Sequence, residues 1–336
     1  MSEVIAVDVG FCTVKARHPD KRISFPSATG RPETGVAGYT MEGNGLMAVR
    51  LGDERFFTPV GQTALQHQRQ AVGRRDGSWV LSDTWLRLLA CALGQLLDEG
   101  TSAIRLVTGL PVDDWPVYHT ALRDKLLATP ISFQMRGKEP QKVKVEAVKI
   151  PSQPFGTLFS LMFDPFGNAI ENEYMGMGAI VDIGGHTTNI LTVDRLTTVQ
   201  DMSGSRPLGL LHALDVIARE INLRYPRLEF TAHDAAVALE SGKFNVSGQE
   251  IQIDDFADHH LTEFCQAIVQ YINDTLARAD RLQWLVLSGG GVHAIGGKLQ
   301  RMLQDEFNVS LASEPRWANV NGYLAIARRA TKTNTW

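Results

Sequence analysis

The sequence predicts an α/β protein of two lobes built by internal duplication. Three observations carry that reading. The chain has 336 residues, enough for two domains or one large two-lobed one. An apolar stretch with Asp before Gly, Val7-Asp8-Val9-Gly10, returns as Val181-Asp182-Ile183-Gly184, and each copy leads into a hydroxyl-bearing strand. The elements around the two copies come in one order: strand, tight glycine turn, strand, strand, helix.

Taken in order, residues 3–9 form an apolar run and read as a buried strand. Strands are predicted at 13–17 and 22–25, joined by the turn His18-Pro19-Asp20-Lys21. Residues 30–60 are glycine-rich and weakly patterned, with short strands expected near 46–51 and 55–58. Ser82 or Asp83 caps a helix running to about Leu97. A strand at 103–108 ends in Gly109-Leu110-Pro111, and Asp113 or Asp114 starts a helix to about Ala128. Strands at 131–136 and 141–149 precede a short helix from Ser152 or Gln153. The pattern then restarts with a strand at 178–184 and a hairpin, 189–193 with 197–200, turning at Asp194-Arg195. An amphipathic helix is expected at 208–224, helices at 231–240 and 255–279, and a hairpin near 243–253. The strand 284–287 closes on Ser288-Gly289-Gly290-Gly291, with helices at 294–306 and 319–330 to follow.

Composition narrows the function classes. Apolar content of 44% and charged content of 21% suit an ordinary globular protein. A net charge of −4 argues against direct binding to nucleic acid, which needs Lys and Arg to neutralise phosphates. Arg328, Arg329 and Lys332 read as a solvated helix end. The three cysteines, Cys12, Cys91 and Cys265, lie far apart without a CxxC spacing, which disfavours a zinc site or disulfide framework and points to a reducing cytoplasm. The first residues lack a signal-peptide pattern, and the apolar stretch 85–97 is too short and too polar to span a bilayer. No third metal ligand stands at helical spacing from His259-His260, so an exposed loop or helix-end pair is expected there.

The repeated turn suits a triphosphate with bound magnesium. Phosphate oxygens need backbone N–H donors at close range, and glycine permits that approach. Magnesium keeps most of its waters and is held by one or two carboxylates. Asp8 and Asp182 on opposite sides of a cleft, with phosphates between residues 10–13 and 184–188, supply that set. A single Asp-x-Gly is a weak signal, because turns are full of both residues. The matched pair is much stronger. A third element, Leu285-Val286-Leu287-Ser288 and three glycines, permits close backbone approach to a base or ribose. Gly289 to Lys298 only imitates a P-loop, since its spacing fails and Leu299 follows the lysine. No GxGxxG follows a first strand, which disfavours a dinucleotide fold.

With these motifs quoted, the chain resembles the actin-like ATPase superfamily. VDVGFCTVK looks like its first phosphate loop, VDIGGHTTNI its second and LVLSGGGVHAI its adenosine motif. TGLPVDDW, VKIPSQPFGTL, SGSRPLGLLHALDVI and NVNGYLAIA, in that order, make it most like the plasmid-segregation actins of the ParM/StbA type. The resemblance implies two RNase H-like domains around a nucleotide cleft: domain I over 1–165, with a C-terminal helix of about 316–336 packing back onto it, and domain II over 166–315. It implies ATP/ADP and Mg2+ as ligands, with Asp8 and Asp182 holding the metal through water. Asp182 would also orient the attacking water. Gln153 stands where some segregation actins carry a catalytic Glu; glutamine orients a water but takes no proton, so slow hydrolysis is expected. The implied nucleotide contacts are Asp8, Gly10, Phe11, Cys12, Thr13, Lys15, Gly184, Gly185, His186, Thr187, Thr188, Gly209, Ser288, Gly289, Gly290 and Gly291. Lys15 would reach the phosphates; Phe11 replaces a Ser common among relatives, which removes a hydroxyl contact.

The implied function is a cytoplasmic, slowly hydrolysing ATPase that forms head-to-tail filaments and segregates a plasmid or other DNA through a DNA-binding adaptor, without membrane contact. Two alternatives stand beside it. One is a non-polymerising scaffold of the pilus or division type. The other is a small-molecule kinase of the same superfamily, which would need an acceptor pocket.

Overall fold

The computed structural model describes residues 2–32, 47–67, 77–170, 174–277 and 281–336. The predicted strand start at 46 and the last residues of the helix predicted to 279 lie outside that set. The strands are β1 (Glu3–Val9), β2 (Thr13–Arg17), β3 (Arg22–Pro26), β4 (Ala48–Leu51), β5 (Thr58–Pro59), β6 (Ala103–Thr108), β7 (Ile131–Met135), β8 (Gln141–Lys149), β9 (Gly178–Ile183), β10 (Thr188–Asp194), β11 (Thr197–Thr198), β12 (Gly204–Arg206), β13 (Lys243–Val246), β14 (Gln249–Gln252), β15 (Trp284–Ser288) and β16 (Val309–Leu311). The helices are α1 (Gln62–His67), α2 (Asp83–Leu96), α3 (Trp115–Ala128), α4 (Gln153–Met162), α5 (Leu210–Arg224), α6 (Ala232–Ser241), α7 (Asp254–Leu276), α8 (Val292–Leu303) and α9 (Ala318–Thr333). Two compact units result: Met1–Asn172 with Asn319–Trp336, and Glu173–Ala318.

The first unit holds one sheet in the order β3-β2-β1-β6-β8-β7-β4-β5. β1 is buried from Ile5 to Val9, as an apolar run in a central strand must be. α2 covers the sheet with Leu88, Leu89, Ala92 and Leu93, all fully buried, and its Ser82 cap accepts from the Trp85 N–H. Arg87 grips Glu54 with both guanidinium ends at 2.6 Å, tying the loop after β4 to α2. That bond holds the Glu54 carboxyl below its ordinary range. α9 lies across α4 at two glycines. A Cβ on Gly322 would stand 1.7 Å from the Gly156 oxygen, so only glycine allows this crossing. Thr157 donates to Asn319 at 2.7 Å, and Arg17 donates to Asn321 at 2.6 Å. The basic group of α9 is the solvated helix end expected, with Arg329 and Lys332 exposed, and it makes surface contacts. Arg329 and Arg328 lie over the Phe163 and Phe166 rings at 4.7 and 5.3 Å, and Lys332 donates to Asn168 at 2.6 Å.

The second unit holds the sheet β11-β10-β9-β15-β16, with β12 pairing β10. α5, α7 and α8 bury Ile217, Ile221, Ile268, Ile272 and Leu299 against it. Its topology repeats the first: β9 runs antiparallel to β10 and parallel to β15, as β1 does to β2 and β6. β16 follows β15 in parallel as β8 follows β6.

Differences from the predicted elements have local causes. α5 begins at Leu210, not 208, because Pro207 and the extended Gly209 (φ −113°, ψ 159°) delay it. α8 begins two residues early, directly after the glycine run. The turn after β10 sits on Arg195 and Leu196, both left-handed (φ 48° and 67°) though neither is Gly or Asn. β12 and β16, three residues each, are too short to show an alternation. His259 and His260 lie inside α7, where they face Glu263 (3.3 Å) and Glu220 respectively. Among the described residues no helix is long and apolar enough to cross a membrane.

Candidate functional site

The first corner is the β1–β2 turn. Asp8 is 2% exposed at the end of a buried strand, a costly place for a carboxylate. Both its oxygens are engaged: Lys15 Nζ lies 3.4 Å from Oδ2, and Gln153 Nε2 donates to Oδ1 at 3.1 Å. Lys15 arrives because the antiparallel register sets it opposite Asp8. Gln153 arrives because α4 starts beside β6, its N–H donating to Leu110 at 2.7 Å. Since a carboxylate only accepts, the Gln153 amide is oriented, and its Oε1 remains the acceptor end. Ser27, which nothing in the sequence singled out, shapes the turn: its N–H donates to Cys12 O at 2.9 Å and its hydroxyl to Gly10 O. The Phe11 ring packs on Trp79, ring centroids 5.3 Å apart. Cys12 is half-buried in the turn, and Thr13 opens β2.

The second corner is the β9–β10 turn. Asp182 is 5% exposed, and the register sets Asn189 opposite it. Gly184 N–H donates to Thr187 O at 2.8 Å, closing the turn. The start of α5 then docks on it: Leu210 and Leu211 donate to Gly184 and Gly185 oxygens at 3.1 and 2.9 Å. Gly209 permits this, because a Cβ there would lie 2.2 Å from Gly185 O. The Thr188 hydroxyl donates to Leu208 O and so braces the corner from within. Asn189 is buried and accepts from the Ser205 hydroxyl at 2.6 Å on β12; Asn189 and Ser205 were not foreseen, because β12 was not. His186 and Thr187 are partly exposed at the tip.

The glycine run meets this corner. β15 sets Ser288 beside Asp182. Gly289 is left-handed (φ +94°), and a Cβ on it would lie 2.4 Å from both Asp182 Oδ1 and Ile183 O. Gly291 N–H donates to Ile183 O at 2.9 Å, while Gly290 is exposed with open space where a Cβ would be. Asp182, Ser288 and the three glycines therefore share one place in the second unit. Asp8, Lys15, Gln153 and the 10–13 turn share one place in the first.

Each corner offers an oxygen-only carboxylate, the backbone of a partly exposed turn with glycine and threonine, and in the first case a cation. This donor set fits a phosphate and a hard, hydrated cation such as magnesium.

Comparison with known proteins bears on the fold. Residues 6–156 match the model for the N-terminal domain of actin-like proteins, and residues 180–301 that for the C-terminal part of the archaeal, MreB-like actin homologue. The chain is similar to an archaeal actin homolog of Thermoplasma volcanium, 23% identical over 97% of this chain and 99% of that one. Among solved structures it is similar to an archaeal actin homolog at TM-score 0.82 and 22% identity, covering 97% and 99% of the two chains. It is also similar to the subunit of a 15-stranded ParM filament from Clostridium botulinum, at TM-score 0.77 and 20% identity over 98% and 99%.

Proposed function

Because the chain has the actin-like fold and belongs to the actin-like ATPase superfamily, we propose that it binds ATP with Mg2+, hydrolyses it slowly, and uses the nucleotide to govern its own head-to-tail polymerisation. The observation that carries this reading is the pair of Asp-Gly corners in matching register, one in each unit. An archaeal actin homolog similar to this chain has been solved in complex with ADP, and a similar ParM forms a filament. The finer role proposed is segregation of a DNA cargo through a DNA-binding adaptor in the cytoplasm.

In this reading the chain's own residues have distinct tasks. Gly10 to Thr13 and Gly185 to Thr187 present N–H and hydroxyl donors to the phosphates, while the Gly184 N–H and the Thr188 hydroxyl hold the second turn in shape. Lys15 supplies positive charge, already placed at the first corner by Asp8. Asp8 and Asp182 hold the metal through water. Bound magnesium would draw charge from the phosphate oxygens. Gln153, fixed through its Nε2, offers Oε1 to orient a water for attack. It cannot serve as a base, so hydrolysis rests on positioning and is slow. Ser288 to Gly291 offer backbone to the adenosine side.

The deciding experiment is Asp182→Ala. Phosphate release should fall by about 100-fold or more, while the variant keeps its wild-type circular dichroism. Wild-type turnover in a folded variant would remove Asp182 from the site.

A further inference from the structure

Charge is divided sharply between the two units. The first carries 22 Lys and Arg against 18 Asp and Glu, a balance of +4. The second carries 11 against 19, a balance of −8; together they make the chain's −4. Neither unit is neutral, and they have opposite signs.

On the first unit the positive charge has an ordered centre. Arg50 on β4 stands opposite Gln134 on β7, and its guanidinium donates to the Gln134 side chain at 2.9 Å through Nε. The Phe57 ring lies under two guanidiniums, those of Arg50 at 5.2 Å and Arg136 at 5.5 Å. Arg55 is exposed and lies over Phe56 at 5.2 Å. An open cleft of about 340 Å³ adjoins, lined by Arg50, Gln134, exposed Lys142 and one acidic residue, Asp53. Stacking on aromatic rings fixes guanidinium forks in place before any partner arrives, which lowers the ordering cost of gripping carboxylates.

We propose that this arginine–phenylalanine surface docks the acidic second unit of another copy of this chain. The proposal rests on the self-association reading above and names the surface involved. The favoured occupant is a second copy because its −8 unit comes with every patch at equal number. A nucleic acid would meet repulsion from that same −8 unit, covalently joined to the patch. Like units repel and unlike units attract, so the contact is between different surfaces on the two copies. Such a contact need not close on itself and can continue into a chain of subunits.

The test is sedimentation of the full chain with ATP, with ADP and without nucleotide, at low and high salt, for the wild type and for Arg55→Glu/Arg136→Glu. Lys142→Glu, at an exposed position, serves as the second variant should the first fail to fold. The concentration needed for assembly should rise about tenfold in the double variant at low salt. Added salt should weaken the wild type and narrow the gap between the two. Equal, nucleotide-dependent assembly of wild type and variants overturns the docking surface and leaves the filament reading standing. Patch-dependent but nucleotide-independent association does the reverse. No association in any form sinks both. Loss of binding to a duplex oligonucleotide by the variants, with unchanged self-association, makes the surface a nucleic-acid site and overturns the proposal.

Discussion

The two corners share a backbone and differ in what surrounds their carboxylates. In each, a Cβ on the turn glycine would lie 3.0 Å from a threonine oxygen, Thr13 for Gly10 and Thr187 for Gly184. The Asp stands across the hairpin from Lys15 in one and from Asn189 in the other. The first corner therefore carries its own cation. The second has a neutral amide tied to Ser205, and a glycine strand pressed against the carboxylate instead. Duplication has preserved the main chain, whose hydrogen-bond register tolerates no slip. The side chains have been free to diverge. The built-in lysine gives the first corner a positive charge of its own for phosphate oxygens.

The sharpest way to break this comparison is Gly289→Ala. The new Cβ meets Asp182 Oδ1 and Ile183 O at 2.4 Å on a left-handed backbone, and neither neighbour is the loose end of a long side chain. Strain and overpacking together should cost about 2–4 kcal/mol of stability. Gly10→Ala has a single contact, 3.0 Å from Thr13 O, and a φ that alanine accepts. Thermal unfolding of both variants should rank Gly289→Ala well below Gly10→Ala. Equal melting temperatures would mean that the glycine run is not pressed against Asp182.

Much of this was legible in the sequence for a physical reason. Buried strands such as β1, β9 and β15 are apolar runs, and α2 announces its start at Ser82 and its face by its leucines. The carboxylate corners show themselves because Asp at the end of an apolar run is costly without a purpose. What surrounds them is less visible. Ser27, Asn189 and Ser205 act through register across neighbouring strands, which no local pattern records. The seat of the Phe11 ring on Trp79 is likewise set by a partner far away in sequence. The grip of Arg328 and Arg329 on Phe166 and Phe163 is equally non-local.

Gln153→Ala sharpens the comparison from the other side. It removes the amide that donates to Asp8 Oδ1, while Lys15 stays 3.4 Å from Oδ2. Phosphate release should slow about tenfold through loss of water positioning, and polymers should persist longer in light scattering. Binding of ATP should change little, because the phosphate donors of both turns are untouched. A loss of binding with unchanged turnover per bound nucleotide would make Gln153 a binding residue, not a positioning one.

The smallest effect is also the most selective. Burial pushes the Cys91 thiol up to about 12 and the Cys265 thiol up to about 11, so neither ionises near neutral pH. Cys12 is half-buried and sits in the first corner between Phe11 and Thr13. A thiol-directed alkylating agent at pH 8 should therefore label the folded chain at Cys12 alone, as read by peptide mass. If the first corner holds phosphates, ATP with magnesium should slow that labelling. The second corner has no cysteine, so the loss of protection in a variant tells the corners apart. Lys15→Ala should lose protection at Cys12. Undiminished labelling of wild type in saturating ATP would place the nucleotide elsewhere than the Gly10–Thr13 turn.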